Sequence, residues 1–202
     1  DNTTYPINEE MLHNGPPHDS NYAYAYAKRM LEIQCRTYKE QYGDNFVSII
    51  PTNLYGENDN YSLENGHVIP SLIHNCFLAK KQNKKFIVRG TGKPLRQFLY
   101  SEDIAKLIFW VVEKYNDKEP IILSVGKEDE VSIEYISRLI AREFNYESEL
   151  EFDPTYSDGQ YKKTADNSKL LKLNGDFKFT PIEQGIKKSI KWFIENYDNC
   201  RK

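Results

Sequence analysis

The apolar residues of this chain follow two spacings that alternate along its length. Apolar positions three and four residues apart predict a helix that begins near 101, and others over 21–43, 67–82, 132–144 and 180–197. Short, almost wholly apolar runs predict strands at 46–51, 86–88, 97–100, 121–125 and 150–152. Residues 1–20 and 52–66 follow neither spacing and are predicted to be loops. Strands that alternate with helices predict an α/β fold.

Polar residues and glycines indicate where the helices begin and end. Ser20, Ser101 and Thr180 each precede a helical run and are predicted N-caps. Glu183 would complete a capping box with Thr180, since it lies three residues later. Gly43 is a suitable C-terminal stop for the first helix.

Three expectations concern packing. The run 46–51 is typical of a strand that a parallel sheet buries on both faces. The run 90–94 contains Gly-Thr-Gly but lacks a third glycine and a following helix, so we interpret it as a hairpin turn rather than a phosphate loop. The helix that begins at Ser101 is expected to bury a stripe formed by Ile104, Leu107, Ile108, Val111 and Val112.

The composition narrows the possible partners. The 202 residues include 27 Lys and Arg against 30 Asp and Glu, a net charge of -3, which argues against nucleic acid or an anionic membrane as the main partner. No apolar run approaches the ~20 residues of a membrane-spanning helix. The three cysteines, Cys35, Cys76 and Cys200, are widely spaced, so neither a disulfide nor a metal site is predicted. A reducing, cytoplasmic compartment is expected.

Tyr24 and Lys28 form the first candidate for chemistry. Four residues apart on a helix, they share one face, and a nearby ammonium lowers a tyrosine pKa from about 10 by about 1–3 units. Such a tyrosine is suited to exchanging a proton with a carbonyl or alcohol. With 15 tyrosines in the chain one such pair is expected by chance, but this helix precedes a strand whose end carries Asn53. Ligands of α/β sheets bind at such strand ends.

Seven stretches carry a resemblance to a known family, and together they cover nearly the whole chain: HNGPPH (13–18), YAYAKRM (24–30), PTNLYGENDN (51–60), GHVIPSLIH (66–74), GTGKPLRQFLYSEDIAKL (90–107), PIILSVGKEDEVSI (120–133) and SDGQYKKTADNSKL (157–170). Through them the chain resembles the extended short-chain dehydrogenase/reductase family, in its GDP-L-fucose synthase branch.

The resemblance implies three catalytic residues. Tyr24 matches the proton donor to the C4 keto group of the sugar, and Lys28 matches the lysine that holds the nicotinamide ribose and tunes the tyrosine. His67 matches a histidine that acts as an acid in the epimerisations at C3 and C5. Without the resemblance, a histidine at a helix start is more often a cap or a surface residue.

The resemblance also implies the binding residues. The nicotinamide end of NADP would lie along Lys28, His67 and the segment made of Pro51, Thr52, Asn53 and Leu54. Arg96 and Asp158 match residues that contact the GDP-sugar.

Two positions depart from the family pattern. Asn75 stands where a basic residue would help to bind the diphosphate. Arg89 stands where an aromatic residue is usual, although a guanidinium also stacks on a base.

The implied fold is the C-terminal part of an NADP-binding Rossmann-type domain, 1–53 and 99–126, with a smaller mixed α/β substrate domain, 54–98 and 127–202. The implied reaction is NADPH-dependent epimerisation at C3 and C5 and reduction at C4 of GDP-4-keto-6-deoxy-D-mannose, giving GDP-L-fucose. Family members dimerise through helices that include the one with Tyr24, so a homodimer is implied.

No glycine-rich dinucleotide turn occurs in the sequence. The resemblance begins just after the segment that, in the family, carries a catalytic serine and a cysteine. We therefore expect the chain to be the C-terminal part of a longer enzyme and to be inactive alone. Strands 46–51 and 121–125 would then lack neighbours. Losing the burial of four such side chains costs about 6–12 kcal/mol, so we expect this lobe to be weakly folded or to associate.

Two alternatives remain open. One is a different nucleotide-sugar epimerase or dehydratase of the same fold, which substrate trials with GDP-, UDP- and dTDP-sugars would separate. The other is a module that binds a nucleotide sugar, or a full-length partner, without turnover.

Overall fold

A computed structural model describes residues 4–202. Its six α-helices are Tyr22–Tyr42 (α1), Val68–Gln82 (α2), Ser101–Lys114 (α3), Ile133–Glu143 (α4), Ser168–Leu173 (α5) and Ile182–Glu195 (α6). Single 3-10 turns lie at Glu9–Met11, Asp19–Asn21, Lys127–Asp129 and Glu147–Glu149. The helices predicted at 21–43 and 67–82 are confirmed almost to the residue. Gly43 ends α1 in the left-handed conformation, with φ of 78°, as predicted.

The strands are short and form four pairs. They are Ile49–Pro51 (β1), Asn53–Tyr55 (β2), Phe86–Arg89 (β3), Leu95–Arg96 (β4), Phe98–Tyr100 (β5), Ile121–Leu123 (β6), Val131–Ser132 (β7) and Leu150–Asp153 (β8). The pairs β1–β6, β2–β5 and β3–β8 are parallel, and β4–β7 is antiparallel. Helices lie between the members of each parallel pair, which confirms the α/β class.

Two hydrophobic cores meet at β5. Successive side chains of a strand point to opposite faces, and here Phe98 and Tyr100 enter one core while Leu99 enters the other. The first core packs β2, β3 and helices α2, α4 and α6, with Tyr61 and Phe193 fully buried. The second core packs β6, α3 and α5 and includes the half-buried Ile49 of β1. The chain between residues 54 and 98 therefore reaches both cores within three residues of β5.

The loop predicted over 52–66 was wrong in part, because β2 lies within it. Tyr55 and Tyr61, also inside this segment, are buried core residues. Tyr61 donates hydrogen bonds to the carbonyls of Gly56 and Ser189 and stacks on Phe193, with ring centroids 4.6 Å apart. The polar residues around these tyrosines hid a segment that is held by distant partners.

The hairpin predicted at 90–94 was also wrong. The strands on either side of this turn, β3 and β4, do not pair with each other, because β3 pairs with β8 and β4 with β7. The turn instead changes the direction of the chain between two ladders.

The three predicted N-caps were wrong by one residue or more. Asn21, Tyr100 and Pro181 occupy the N-cap positions of α1, α3 and α6, and none of them caps with its side chain. Ser101 is instead the first helical residue of α3.

Thr180 and Glu183 do not form the predicted capping box. The backbone N–H and hydroxyl of Thr180 donate to the buried carboxylate of Asp103, at 2.6 and 3.0 Å. Glu183 accepts a hydrogen bond from the hydroxyl of Tyr135. Tertiary partners thus take both side chains away from the helix end.

The expected burial of two elements was overestimated. In α3, Ile104, Leu107 and Val111 are buried, but Ile108 is 41% and Val112 is 73% exposed. Strand β1 begins only at Ile49, and its residues are half-buried or exposed rather than buried on both faces. Its only ladder within residues 4–202 is with β6.

The segment before α1 is tied to the rest of the fold. Ile7 forms a parallel bridge with Ala165, and the carboxylate of Glu9 accepts a 2.9 Å hydrogen bond from the N–H of Ile122 in β6. Across residues 4–202, the helices are too short or too polar to cross a bilayer.

Candidate functional site

A cavity of about 380 Å³ lies between α2, β3 and the segment that follows β8. Its lining includes Arg96 and Asp158, the two residues predicted to contact the sugar nucleotide, and the two departing positions, Asn75 and Arg89. Apolar side chains from α2, β3 and the start of α4 complete the wall: Val68, Leu72, Ile87, Val88 and Ile133. A concave, mostly apolar surface with a few converging polar groups is typical of small-molecule sites.

Asp158 is held at the cavity by the turn after β3. Its carboxylate accepts hydrogen bonds from the backbone N–H of Thr91 at 2.7 Å and from the Thr91 hydroxyl at 2.6 Å. These hydrogen bonds lower the pKa of Asp158 below its ordinary value. Gly90 allows this approach, because its φ is 93° and a Cβ there would lie 2.4 Å from the Asp158 carboxylate.

Arg96 enters the cavity from β4 and is oriented by backbone carbonyls. Its guanidinium donates to the carbonyls of Leu95 and Gln160, each at 2.7 Å. Burial lowers the pKa of this guanidinium. Its contacts are to neutral groups, so its positive charge remains available to an anionic ligand.

The two departing positions are both in contact with the protein. The amide of Asn75 donates to the carbonyl of Ile87 at 2.8 Å. The guanidinium carbon of Arg89 lies 4.9 Å from the centre of the Tyr156 ring. Arg89 and Tyr156 thus form a stacked pair of a cation and an aromatic ring at the cavity.

Tyr24 and Lys28 lie together on α1. The ammonium of Lys28 is 5.5 Å from the centre of the Tyr24 ring, and Tyr24 is 65% exposed. Both residues lie outside the lining of the cavity.

The segment of Pro51, Thr52, Asn53 and Leu54 runs from the end of β1 into β2. Asn53 donates from its amide to the carbonyl of Gln97 at 2.9 Å. The hydroxyl of Thr52 is buried and has no hydrogen-bond partner, and the same holds for Ser48 just before β1. Buried hydroxyls without partners are uncommon and indicate a place where a ligand or further chain supplies them.

His67 occupies the N-cap position of α2 without capping it. Its Nδ1 lies 3.3 Å from a carboxylate oxygen of Asp59. Because a carboxylate only accepts, this contact assigns the proton to Nδ1 and presents Nε2 outward. The imidazole side chain is 75% exposed.

Comparison with known proteins identifies the family. The family described as NAD dependent epimerase/dehydratase matches residues 1–126, more than half of the chain. The chain belongs to that family. It is 56% identical over 202 residues to a GDP-L-fucose synthase of Dictyostelium discoideum, covering 100% of this chain and 63% of that protein. It is 48% identical over 209 residues to a probable GDP-L-fucose synthase of Drosophila melanogaster, covering 100% and 65%.

Solved structures of the family give the same result. The crystal structure of a GDP-L-fucose synthetase from Naegleria fowleri bound to NADP superposes with a TM-score of 0.97 at 50% identity, covering 100% of this chain and 62% of that one. The resemblance seen in the sequence and the Rossmann-type α/β fold are thereby confirmed. The chain spans less than two thirds of the length of each of these relatives.

The structure groups the predicted site residues of this family member into three sets. Arg96 and Asp158 share the cavity, Tyr24 and Lys28 share a helix face, and Thr52 and Asn53 follow β1. Their roles stay predictions.

Sequence reasoning missed three residues that orient the predicted ones. Thr91 holds Asp158, Asp59 holds His67, and the buried amide of Gln97 bonds Val125, Gly126 and Ala165 beside Arg96. A glutamine between apolar residues of a predicted strand was the one available signal.

Proposed function

We propose that this chain carries the catalytic pair and the sugar-nucleotide site of an enzyme that converts GDP-4-keto-6-deoxy-D-mannose to GDP-L-fucose. The observation that carries the proposal is that one chain combines the Tyr24–Lys28 contact with a cavity lined by Arg96 and Asp158. The names of the relatives with 56% and 48% identity support the substrate.

Reduction at C4 requires a hydride on carbon and a proton on oxygen. In the proposed reaction NADPH supplies the hydride, and the hydroxyl of Tyr24 supplies the proton. The ammonium of Lys28 stabilises the phenolate that remains, since opposite charges at this distance attract. A positioned acid of this kind contributes about 10²–10⁴ in rate.

Epimerisation at C3 and C5 requires removal and return of protons next to the keto group. We assign the acid in these steps to His67. Asp59 would orient the imidazole so that Nε2 faces the sugar, and the exposure of His67 leaves room for a substrate to reach it. The base in these steps is not assigned to a residue of this chain.

The residues that follow β1 fit part of a dinucleotide site. The unpartnered hydroxyl of Thr52 lies at the carboxyl end of a parallel strand, where such ligands bind. With Pro51, Asn53, Leu54, Lys28 and His67, it would hold the nicotinamide end of NADP. The Naegleria fowleri relative with NADP supports this choice of cofactor.

Charge and shape of the cavity suit the GDP portion of the substrate. The Arg96 guanidinium would pair with the diphosphate, and Asp158 would accept hydrogen bonds from hydroxyl or amine donors of the ligand. In this proposal residues 1–53 and 99–126 belong to the nucleotide-binding domain, and residues 54–98 and 127–202 to the substrate domain.

A second copy of the chain is the proposed partner. Helix α1 leaves Tyr26, Met30 and Leu31 more than half exposed, and α3 does the same with Phe109 and Val112. Apolar surface of this extent marks association sites. We propose that a homodimer in the cytoplasm covers these faces.

The test is NADPH oxidation with GDP-4-keto-6-deoxymannose. The 202-residue chain is assayed alone, and also extended with the segment of the Dictyostelium discoideum relative that the alignment leaves out. Oxidation by the extended protein, lost at least 100-fold in Tyr24→Phe, is the expected result. Turnover of UDP- or dTDP-sugars instead would assign another nucleotide-sugar reaction. Tight binding of the GDP-sugar without turnover would favour a binding module.

A further inference from the structure

Helix α1 continues the face of Tyr24 and Lys28 with two more charged residues. Glu32 and Arg36 follow at the same four-residue spacing, so all four side chains share one face. Glu32 is the only buried residue of α1, with 3% exposure. A carboxylate is costly to bury unless charged and hydrogen-bonding partners compensate for lost water.

Two basic side chains take the Glu32 carboxylate. The Nε2 atom of His13 lies 2.5 Å and the Nη2 atom of Arg36 lies 3.3 Å from the same oxygen, Oε2. His13 comes from the segment before α1. That segment is also attached at Gly15, whose carbonyl accepts a 2.7 Å hydrogen bond from Arg29. The segment and the helix therefore meet one turn beyond Lys28.

The position of Glu32 creates a competition. Glu32 lies four residues after Lys28 and four residues before Arg36, so either cation is within side-chain reach. In the structure the carboxylate contacts His13 and Arg36, and the ammonium of Lys28 lies over the Tyr24 ring. A carboxylate released by His13 would be able to attract Lys28 and draw its ammonium one helical turn away from Tyr24.

We propose that His13 is a positioning residue for the reaction. By holding the carboxylate of Glu32, it keeps that carboxylate from Lys28 and leaves the ammonium at Tyr24. His13 acts through Glu32 and Lys28 and does not touch the reacting atoms. The proposal rests on the proposed function, in which the Tyr24–Lys28 pair supplies the proton.

The decisive experiment compares His13→Ala with the double variant His13→Ala/Glu32→Gln. His13→Ala is expected to lower kcat about tenfold with KM changed less than about twofold, because the pair is disturbed and the sugar site is not. The double variant is expected to recover to within about threefold of the parent, since the competing carboxylate is gone. If His13 only tied the segment to the helix, the double variant would be at least as slow as His13→Ala, which would overturn the proposal.

A second readout does not depend on turnover. An NMR cross-peak between the side-chain methylenes of Lys28 and the Tyr24 ring is expected in the parent, weakened in His13→Ala and restored in the double variant. A cross-peak of parental strength in His13→Ala would also overturn the proposal. If the cross-peaks follow the expected pattern while the parent fails to reduce the keto-sugar, the proposed function fails and the positioning stands.

Two further variants complete the design. Glu32→Gln alone keeps the shape of the buried side chain, and it is expected to retain the cross-peak and kcat within about twofold; a loss like that of His13→Ala would contradict the competition. This variant replaces His13→Ala if the latter does not fold. Glu40→Gln is the matched control, because Glu40 is also on α1 and pairs at 2.7 Å with Lys118 of another segment. It is expected to leave both readouts unchanged.

Discussion

Helices α6 and α1 differ in how their side chains are covered. Of the 14 residues of α6, five are buried, among them Ile186, Ile190 and Phe193. Of the 21 residues of α1, only Glu32 is buried, although the helix carries many aromatic and aliphatic side chains. The partners of α6 are all within the chain, whereas α1 presents apolar surface that the described residues leave in solvent. The proposed catalytic pair therefore lies on the less covered of the two helices.

The largest expected effect comes from the fully buried Phe193. Its ring packs on Tyr61, His74 and Phe77 at centroid distances of 4.6–5.5 Å. Phe193→Ala is expected to lower the free energy of unfolding by about 3–5 kcal/mol. Phe109→Ala, at a 70% exposed site on α3, is the matched control and is expected to change it by less than about 0.5 kcal/mol. Denaturant unfolding measures both, and equal effects would mean that the two regions are not differently covered.

The next effect tests the close approach of α6 to β2. A Cβ at Gly185 would lie 2.1 Å from the hydroxyl oxygen of Tyr55 and 2.8 Å from its ring. Gly185→Ala is expected to destabilise by about 1–3 kcal/mol, because the helix must move or the ring must shift.

Tyr55 provides the control for this prediction. Its hydroxyl is buried without a partner, so Tyr55→Phe is expected to be close to neutral. Combined with Gly185→Ala it is expected to recover part of the loss, since the nearest clashing atom is gone. A strictly additive double variant would show that the clash is not with Tyr55.

The regular elements with strong periodicity were predictable, and elements defined by distant partners were not. Helix α1 begins and ends within one residue of its prediction because its spacing and Gly43 are local signals. Strand β2 was missed because it has three residues and pairs with β5, more than forty residues later. The capping box failed because Asp103, 77 residues away, takes Thr180.

The candidate site divides in the same way. The contact between Tyr24 and Lys28 follows from helical spacing, so the sequence alone was sufficient. The hydrogen bonds between Thr91 and Asp158 join residues 67 positions apart, and nothing in either local pattern predicts them. The family resemblance supplied Asp158 as a residue, but only the fold supplies what holds it.

A smaller effect concerns pH and the packing around α6. His74 is buried, and its Nδ1 donates to the carbonyl of Tyr61 at 2.8 Å. Burial, assisted by the charge of Lys202, lowers the pKa of His74. The folded chain therefore resists a proton that the unfolded chain accepts near pH 6.5, so stability is greatest above about pH 6.5 and falls below it.

The expected slope from this one group is at most about 1.4 kcal/mol per pH unit. Urea unfolding at pH 7.5 and 5.5 measures it, and His74→Gln is the control because glutamine does not titrate. The difference between the two pH values should shrink in His74→Gln. An unchanged difference would assign the pH dependence to other groups.

The smallest expected effect on the single chain is at the uncovered faces. Val112 of α3 is 73% exposed, so Val112→Ser should change the free energy of unfolding of the monomer by no more than about 0.5 kcal/mol. If a second copy covers this face, the same change removes apolar contact from both copies and should weaken self-association about tenfold, as sedimentation equilibrium would measure. A monomeric parent that binds no hydrophobic dye would contradict both the homodimer and the expectation of exposed apolar surface. A parent that associates with unchanged affinity in Val112→Ser would instead leave α1 as the face that the second copy covers.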